Sequence, residues 1–94
     1  MENIKIIFDE EKHSSFVLDN DKVVGECEYI SKDNKWYIVH TGVREEYKGR
    51  GLARLLVDKV VLEARNRNIK IVPICSYASH VMVGNKEYQD VLAD

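Results

Sequence analysis

Two glycines one residue apart, Gly49 and Gly51, stand between a strand-like run and the longest helical pattern in the chain. The stretch reads Val43-Arg44-Glu45-Glu46-Tyr47-Lys48-Gly49-Arg50-Gly51-Leu52-Ala53. A strand that turns at once into a helix commits this region to a strand–helix–strand unit. It also creates an anion cradle. The first turn of a helix leaves backbone N–H groups without intrahelical partners, and the aligned peptide dipoles add partial positive charge there. Glycine lets backbone approach a phosphate closely and adopt positive φ. Arg44, Lys48, Arg50 and Arg54 outnumber Glu45 and Glu46, whereas the chain as a whole carries a charge of −2. A basic island in a mildly acidic protein points to a local anionic ligand rather than to bulk affinity for nucleic acid. Gly-x-Gly at a helix start also serves plain turn geometry, so the rest of the chain has to decide.

The 94 residues suit one domain with one core, spanning 1–94. Hydrophobic residues at 45% and charged residues at 32% belong to a soluble globular protein without a membrane span. The first nine residues lack the basic and long apolar regions of a signal peptide. Two cysteines far apart, Cys27 and Cys75, are expected as free thiols in a reducing cytoplasm, with a single disulfide as the alternative. Neither metal nor nucleic acid is called for: no aromatic stacking surface interleaves with the basic residues.

The first half reads as an antiparallel meander of four strands: Ile4–Asp9, Ser14–Asp19, 22–31 and 36–43. Asp19-Asn20-Asp21 and Lys32-Asp33-Asn34-Lys35 supply the turn chemistry, because Asn and Asp tolerate left-handed backbone. Alternation puts Val23, Gly25, Cys27 and Tyr29 on one face of the third strand, with Val24, Glu26, Glu28 and Ile30 on the other. In the fourth, Trp36, Ile38 and His40 face one way and Tyr37, Val39 and Thr41 the other. Residues 50–66 then form a helix whose stripe is Leu52, Leu55, Leu56, Val60 and Ala64, widened by Ala53, Val57 and Val61. Asn66-Arg67-Asn68 closes it. Residues 69–74 read as a fifth strand, parallel to the fourth because a crossover helix joins them. Pro73 cannot donate to a ladder, so pairing should fail there and open a gap beside Cys75. Two short helices, 77–83 and 86–92, complete an α+β fold: a mostly antiparallel mixed sheet, one central helix and a short helical tail.

An antiparallel meander, Val43 followed after five residues by Gly49-x-Gly51-Leu52-Ala53, a long helix, and a strand ending in Pro73-x-Cys75 resemble the GNAT superfamily of acyl-CoA-dependent N-acetyltransferases. The strings His40-Thr41-Gly42-Val43, Tyr47 to Ala53, Val72-Pro73-Ile74-Cys75-Ser76-Tyr77 and Glu87 to Leu92 are similar to its small single-domain branch, the YjdJ-type or NATD-like proteins. The likeness covers 36–92, with the earlier strands compatible. It implies acetyl-CoA as cofactor and an amine as acceptor; separately, the protein is expected to be a monomer. The diphosphate of coenzyme A would lie on the Gly-x-Gly turn, held by Lys48, Gly49, Arg50, Gly51, Leu52, Ala53 and Arg54. The pantetheine arm would lie between splayed strands four and five, beside Val43 and Arg44, with Ser76 and Tyr77 across from them. The Val43 N–H would polarise the thioester carbonyl.

Two departures accompany the likeness. Glu46 stands where the family's motif has Gln or Arg, and a carboxylate there repels a diphosphate unless it turns outward or pairs with Arg50. The chain also lacks the length to build an enclosed acceptor pocket.

Cys75 and His40 are the candidate catalytic residues. A free Cys is ordinarily a small buried hydrophobe; placed beside a thioester it would instead protonate the leaving sulfur or accept the acetyl group itself. His40 is either a hydrogen-bonded structural residue or the base that takes a proton from the ammonium acceptor. Their approach to one another is the deciding geometric question. His13, His80, Asn85, Lys86 and Tyr88 have weaker claims, as loop, surface or packing residues. A coenzyme A-binding module without transferase activity is the competing reading.

Overall fold

Five strands lie side by side in the order they leave the ribosome: β1 (Ile4–Asp9), β2 (Ser14–Asp19), β3 (Lys22–Lys32), β4 (Lys35–Val43) and β5 (Lys70–Pro73). The computed structural model describes residues 2–93. The first three pairings are antiparallel and β4–β5 is parallel. The tight connections follow from local chemistry. Asn20 and Asp21 have φ of 49° and 72°, and Asp33 and Asn34 have 54° and 61°. Two successive positive φ values make the type I′ turn, whose twist matches that of the flanking strands. Helix α1 (Leu52–Asn66) crosses one face of the sheet, and Asn68 at φ 57° ends it as the sequence implies.

The core lies between that face and α1. Val17, Val24, Cys27, Tyr29, Trp36 and Ile38 meet Leu52, Leu56, Val57, Val60, Val61 and Ala64, all buried. Burying each such aliphatic side chain contributes about 1.5–3 kcal/mol. Ser15 ties the layers together, its buried hydroxyl donating to the Leu56 carbonyl at 2.8 Å. Leu55, expected in the stripe, is 47% exposed. At 100° per residue it points almost opposite the centre of the buried arc, as does Leu62 seven residues on.

Two register shifts correct the expected faces. Val17 pairs with Gly25 but Leu18 with Val23, which leaves Val24 as an extra residue. Val24 therefore turns into the core and Val23 out to solvent, the reverse of strict alternation. Glu28 pairs with His40 but Tyr29 with Ile38, so Val39 is the extra residue in β4. Beyond it the parity flips. Thr41 joins the core side with Ile38, and His40 is exposed on the face away from α1.

The tail also differs from expectation. Helix α2 (Ser76–Met82) forms, but 86–92 is helical only as a 3₁₀ turn, Lys86–Tyr88. The chain then lies along β5. The Ile71 N–H donates to the Val91 carbonyl at 2.6 Å, and the Ala93 N–H donates to the Ile71 carbonyl at 2.9 Å. Completing the edge of a four-residue strand satisfies groups that another turn of helix would leave unpaired.

Candidate active site at the parting of two strands

Pairing between β4 and β5 ends at Ile38 and Pro73. The Ile38 carbonyl accepts from both Ile74 N–H and Cys75 N–H at 2.9 Å, and beyond it β5 turns into α2. Proline's missing donor explains the stop. The rest of β4, Val39 to Val43, runs on without a β5 partner.

The freed edge of β4 forms one wall of a cleft of about 460 Å³ lined by Thr41, Gly42 and Val43. Tyr47, Lys48, Gly49, Gly51, Leu52 and Ala53 line the other side, with Tyr77 from α2. Arg44 N–H donates to the Val24 carbonyl at 2.8 Å, toward β3. Successive N–H groups of a strand point to opposite edges, so that of Val43 points toward the cleft.

The turn entering α1 carries the geometry its glycines imply. Gly49 and Gly51 have φ of 79° and 78°, and no atom lies within 4 Å of where a Cβ would project on either. Gly51 is the N-cap, with no side chain capping the first amides of the helix. Those amides are donors without intrahelical acceptors. Lys48 pairs with Glu45 at 3.0 Å, both well exposed.

The other expected anion ligands are engaged elsewhere. Arg54 reaches Tyr88 Oη at 2.6 Å, Glu87 at 3.3 Å and Asp58 at 3.4 Å. Tyr88 also donates to Asp58 at 2.6 Å, so Arg54 fastens the C-terminal segment to α1. Arg50 does not line the cleft; it pairs with Glu2 and donates to the Glu46 carbonyl at 3.4 Å. Glu46 itself is exposed in the 3₁₀ turn Glu45–Tyr47. Arg44 is exposed and lines a separate groove rather than the cleft, and Ser76 is exposed at the start of α2.

Cys75 is half-buried at the N-cap of α2, its sulfur accepting from Ala78 N–H at 3.4 Å. Thr41 Oγ1 lies 3.5 Å from it and donates to Cys27 Sγ at 3.5 Å. Both cysteines are free. Burial pushes the Cys27 thiol up to about 12, leaving Cys75 the accessible sulfur. Sequence reasoning missed Gly42 and Tyr47 as cleft-lining residues, and it missed Thr41, which touches the sulfurs. Only the extra residue at Val39 turns its hydroxyl toward the sulfurs, and no sequence signal marks that position.

His40 and Cys75 are not brought together. The imidazole lies on the face away from α1, over Gly42, in a shallow groove of about 360 Å³ shared with Glu26, Val43 and Arg44. Gly42 makes room for it: a Cβ there would come within 3.3 Å of His40 Nε2.

A family model described as GCN5-related N-acetyltransferase matches residues 15–91. The solution structure of a GCN5-like candidate N-acetyltransferase from Staphylococcus aureus is similar, with a TM-score of 0.76 and 33% identity over 99% of this chain and 91% of that one. A predicted acetyltransferase from Clostridium acetobutylicum, crystallised with acetyl-CoA, shares the fold at TM-score 0.59 and 20% identity. That likeness covers 86% of this chain and 62% of the other. A GCN5-related N-acetyltransferase from Sphaerobacter thermophilus gives a TM-score of 0.60 at 24% identity, over 64% of this chain but 20% of its own. No curated protein matches.

Proposed function

Because this chain belongs to the GCN5-related N-acetyltransferase family, we propose that it binds acetyl-CoA in the cleft between β4 and α1 and passes the acetyl group to an amine. The observation carrying this reading is the coincidence of two features in one cleft: an unpaired stretch of β4 and an open glycine turn at a helix start. The residues present suit the cofactor. A Cβ on Gly49 or Gly51 would fill the space that a diphosphate needs against the free amides of α1, and Lys48 supplies a cation on the same wall. Thr41, Gly42 and Val43 offer a strand edge to the amide-bearing pantetheine arm, while Leu52, Ala53 and Tyr77 offer apolar surface.

Bound acetyl-CoA supplies an activated acyl group whose carbonyl is open to attack by a neutral amine. The Val43 N–H is oriented to stabilise negative charge developing on an oxygen in the gap. Cys75, hydrogen-bonded to Thr41 and Ala78, is held beside that gap as the proton donor to a departing thiolate. His40 serves from the far side of β4, taking a proton from an amine that enters along the groove it shares with Glu26. Acetylation of Cys75 itself is the two-step alternative. We infer a monomer acting in the cytoplasm, a compartment that suits two free thiols.

A second reading, a coenzyme A-binding module without turnover, is favoured by the separation of His40 from Cys75 and by the shallowness of the His40 groove. Two measurements decide. Saturation with acetyl-CoA should shift the amides of Gly49, Arg50 and Gly51. Thiol release across a panel of amines should then exceed hydrolysis for at least one of them; binding without release in every case supports the module.

A further inference from the structure

Arg50 sits between the two glycines of the turn but does not line the cleft. Its guanidinium stacks over the Tyr47 ring at 5.1 Å and is held by the Glu2 carboxylate, 48 residues earlier in the chain. That end of the chain is itself anchored. Asn3 N–H donates to Asp19 Oδ1 at 3.2 Å, Asn20 N–H donates to the Asn3 carbonyl at 3.2 Å, and Tyr47 Oη donates to the other oxygen of Asp19. The β2–β3 hairpin thus presents Glu2 to the outer flank of the phosphate turn.

We propose that Arg50 binds the 3′-phosphate of coenzyme A, releasing Glu2 to do so, and that Glu2 thereby sets how strongly the protein distinguishes coenzyme A from its dephosphorylated form. The inference rests on the reading of the cleft as the coenzyme A site. That cofactor carries two separate anionic groups, a diphosphate and a ribose 3′-phosphate. The cleft with its amides and Lys48 provides for the first. A second cation must come from beside it, and the neighbouring arginines differ in how free they are. Arg54 has three partners, one of them a buried tyrosine. Arg44 lines the groove on the other face of β4. Among the described residues Arg50 has one carboxylate partner, in a pair whose side chains are 42% and 46% exposed. Such a pair contributes little net stability and exchanges readily. A phosphate dianion offers the planar guanidinium two parallel hydrogen bonds and twice the charge of the carboxylate it replaces.

The experiment titrates acetyl-CoA and 3′-dephospho-acetyl-CoA against the wild type, Glu2→Gln, Arg50→Gln and the double variant at one fixed ionic strength. The wild type should prefer acetyl-CoA by about tenfold, the usual worth of a charge-assisted hydrogen bond. Arg50→Gln should abolish that preference. Glu2→Gln should tighten acetyl-CoA by about two- to fivefold, the worth of an exposed ion pair, and leave the dephosphorylated cofactor unchanged. The gain should vanish in the double variant. An unchanged affinity in Glu2→Gln, or an equal gain for both cofactors, overturns the proposal while leaving the cleft assignment standing. Failure of every protein, wild type included, to bind either cofactor overturns the cleft assignment itself.

Discussion

Thr41 and Cys75 meet oxygen to sulfur at 3.5 Å across the point where β4 and β5 part. The same hydroxyl reaches the buried Cys27, so one threonine spans an inert sulfur and an accessible one. As proton donor to a leaving thiolate, Cys75 should matter to turnover more than to binding. Cys75→Ala is expected to lower kcat by about 100-fold while shifting the Kd for acetyl-CoA little. Intact-mass spectrometry of the wild type after incubation with acetyl-CoA should show no acetyl adduct. An adduct at Cys75 that disappears on adding the amine would replace direct attack with the two-step route.

Gly51 carries the first amides of α1 at φ 78°. Gly51→Ala forces a Cβ into left-handed backbone, which costs about 1–2 kcal/mol of stability. The methyl also occupies the cradle. Acetyl-CoA affinity should fall by about tenfold or more, as for the loss of one hydrogen bond to a charged group. Urea denaturation and calorimetric titration of the same preparation separate the two effects. A stability loss with unchanged affinity would remove the diphosphate from this turn.

Tyr88 and Tyr29 foretell alkaline unfolding. Burial, together with donation to Asp58, pushes the Tyr88 phenol up to about 12, and burial does the same for Tyr29, against an ordinary value of 10.0. A raised folded-state pKa favours the neutral form in the fold. The stabilisation is therefore complete below pH 10 and is lost as pH rises from there through about 12. Cys27 adds a loss of the same sign that begins nearer 9.0. Unfolding free energy should be level near neutrality and fall steeply through that alkaline range. In Tyr88→Phe the fall should be shallower, from a starting stability lower by about 1–2 kcal/mol.

His40 and Thr41 exchange faces because Val39 is one residue too many for the partner strand. Deleting Val39 should leave an unbroken ladder in which Glu28 still pairs with His40 and Tyr29 with Ile38, so Thr41 keeps its side of the sheet and its place between the sulfurs. The fold should survive in circular dichroism with a loss of about 1–3 kcal/mol, and turnover should persist. Loss of turnover with the fold intact would show that the chemistry needs the bulge itself rather than the faces it sets.

Strand limits, the two Asn/Asp turns, the Asn68 cap and the break at Pro73 were legible in the sequence because each rests on a residue's own backbone preference. The faces of Val23, Val24, His40 and Thr41 were not. Parity survives only until a bulge, and a bulge is a property of two strands together. Leu55 misled because leucine carries no mark of whether a neighbour exists to cover it. Residues 86–92 have helical spacing, but the decisive groups, Ile71 N–H and its carbonyl, lie twenty residues earlier. The glycine turn was legible as a motif. The engagement of Arg50 by Glu2 and of Arg54 by Tyr88 was not, since long-range ion pairs leave no spacing to read.

The tail that lies along β5 has a bearing on how copies of this chain meet in a crowded solution. An outermost strand is a template onto which a stranger's backbone can zip, the first step toward fibrils. By pairing with both the N–H and the carbonyl of Ile71, Val91 and Ala93 blunt that template at one margin of the sheet. Truncation before Val91 should leave the cleft intact yet expose that margin. Slow aggregation with concentration, rather than loss of cofactor binding, would be the first symptom.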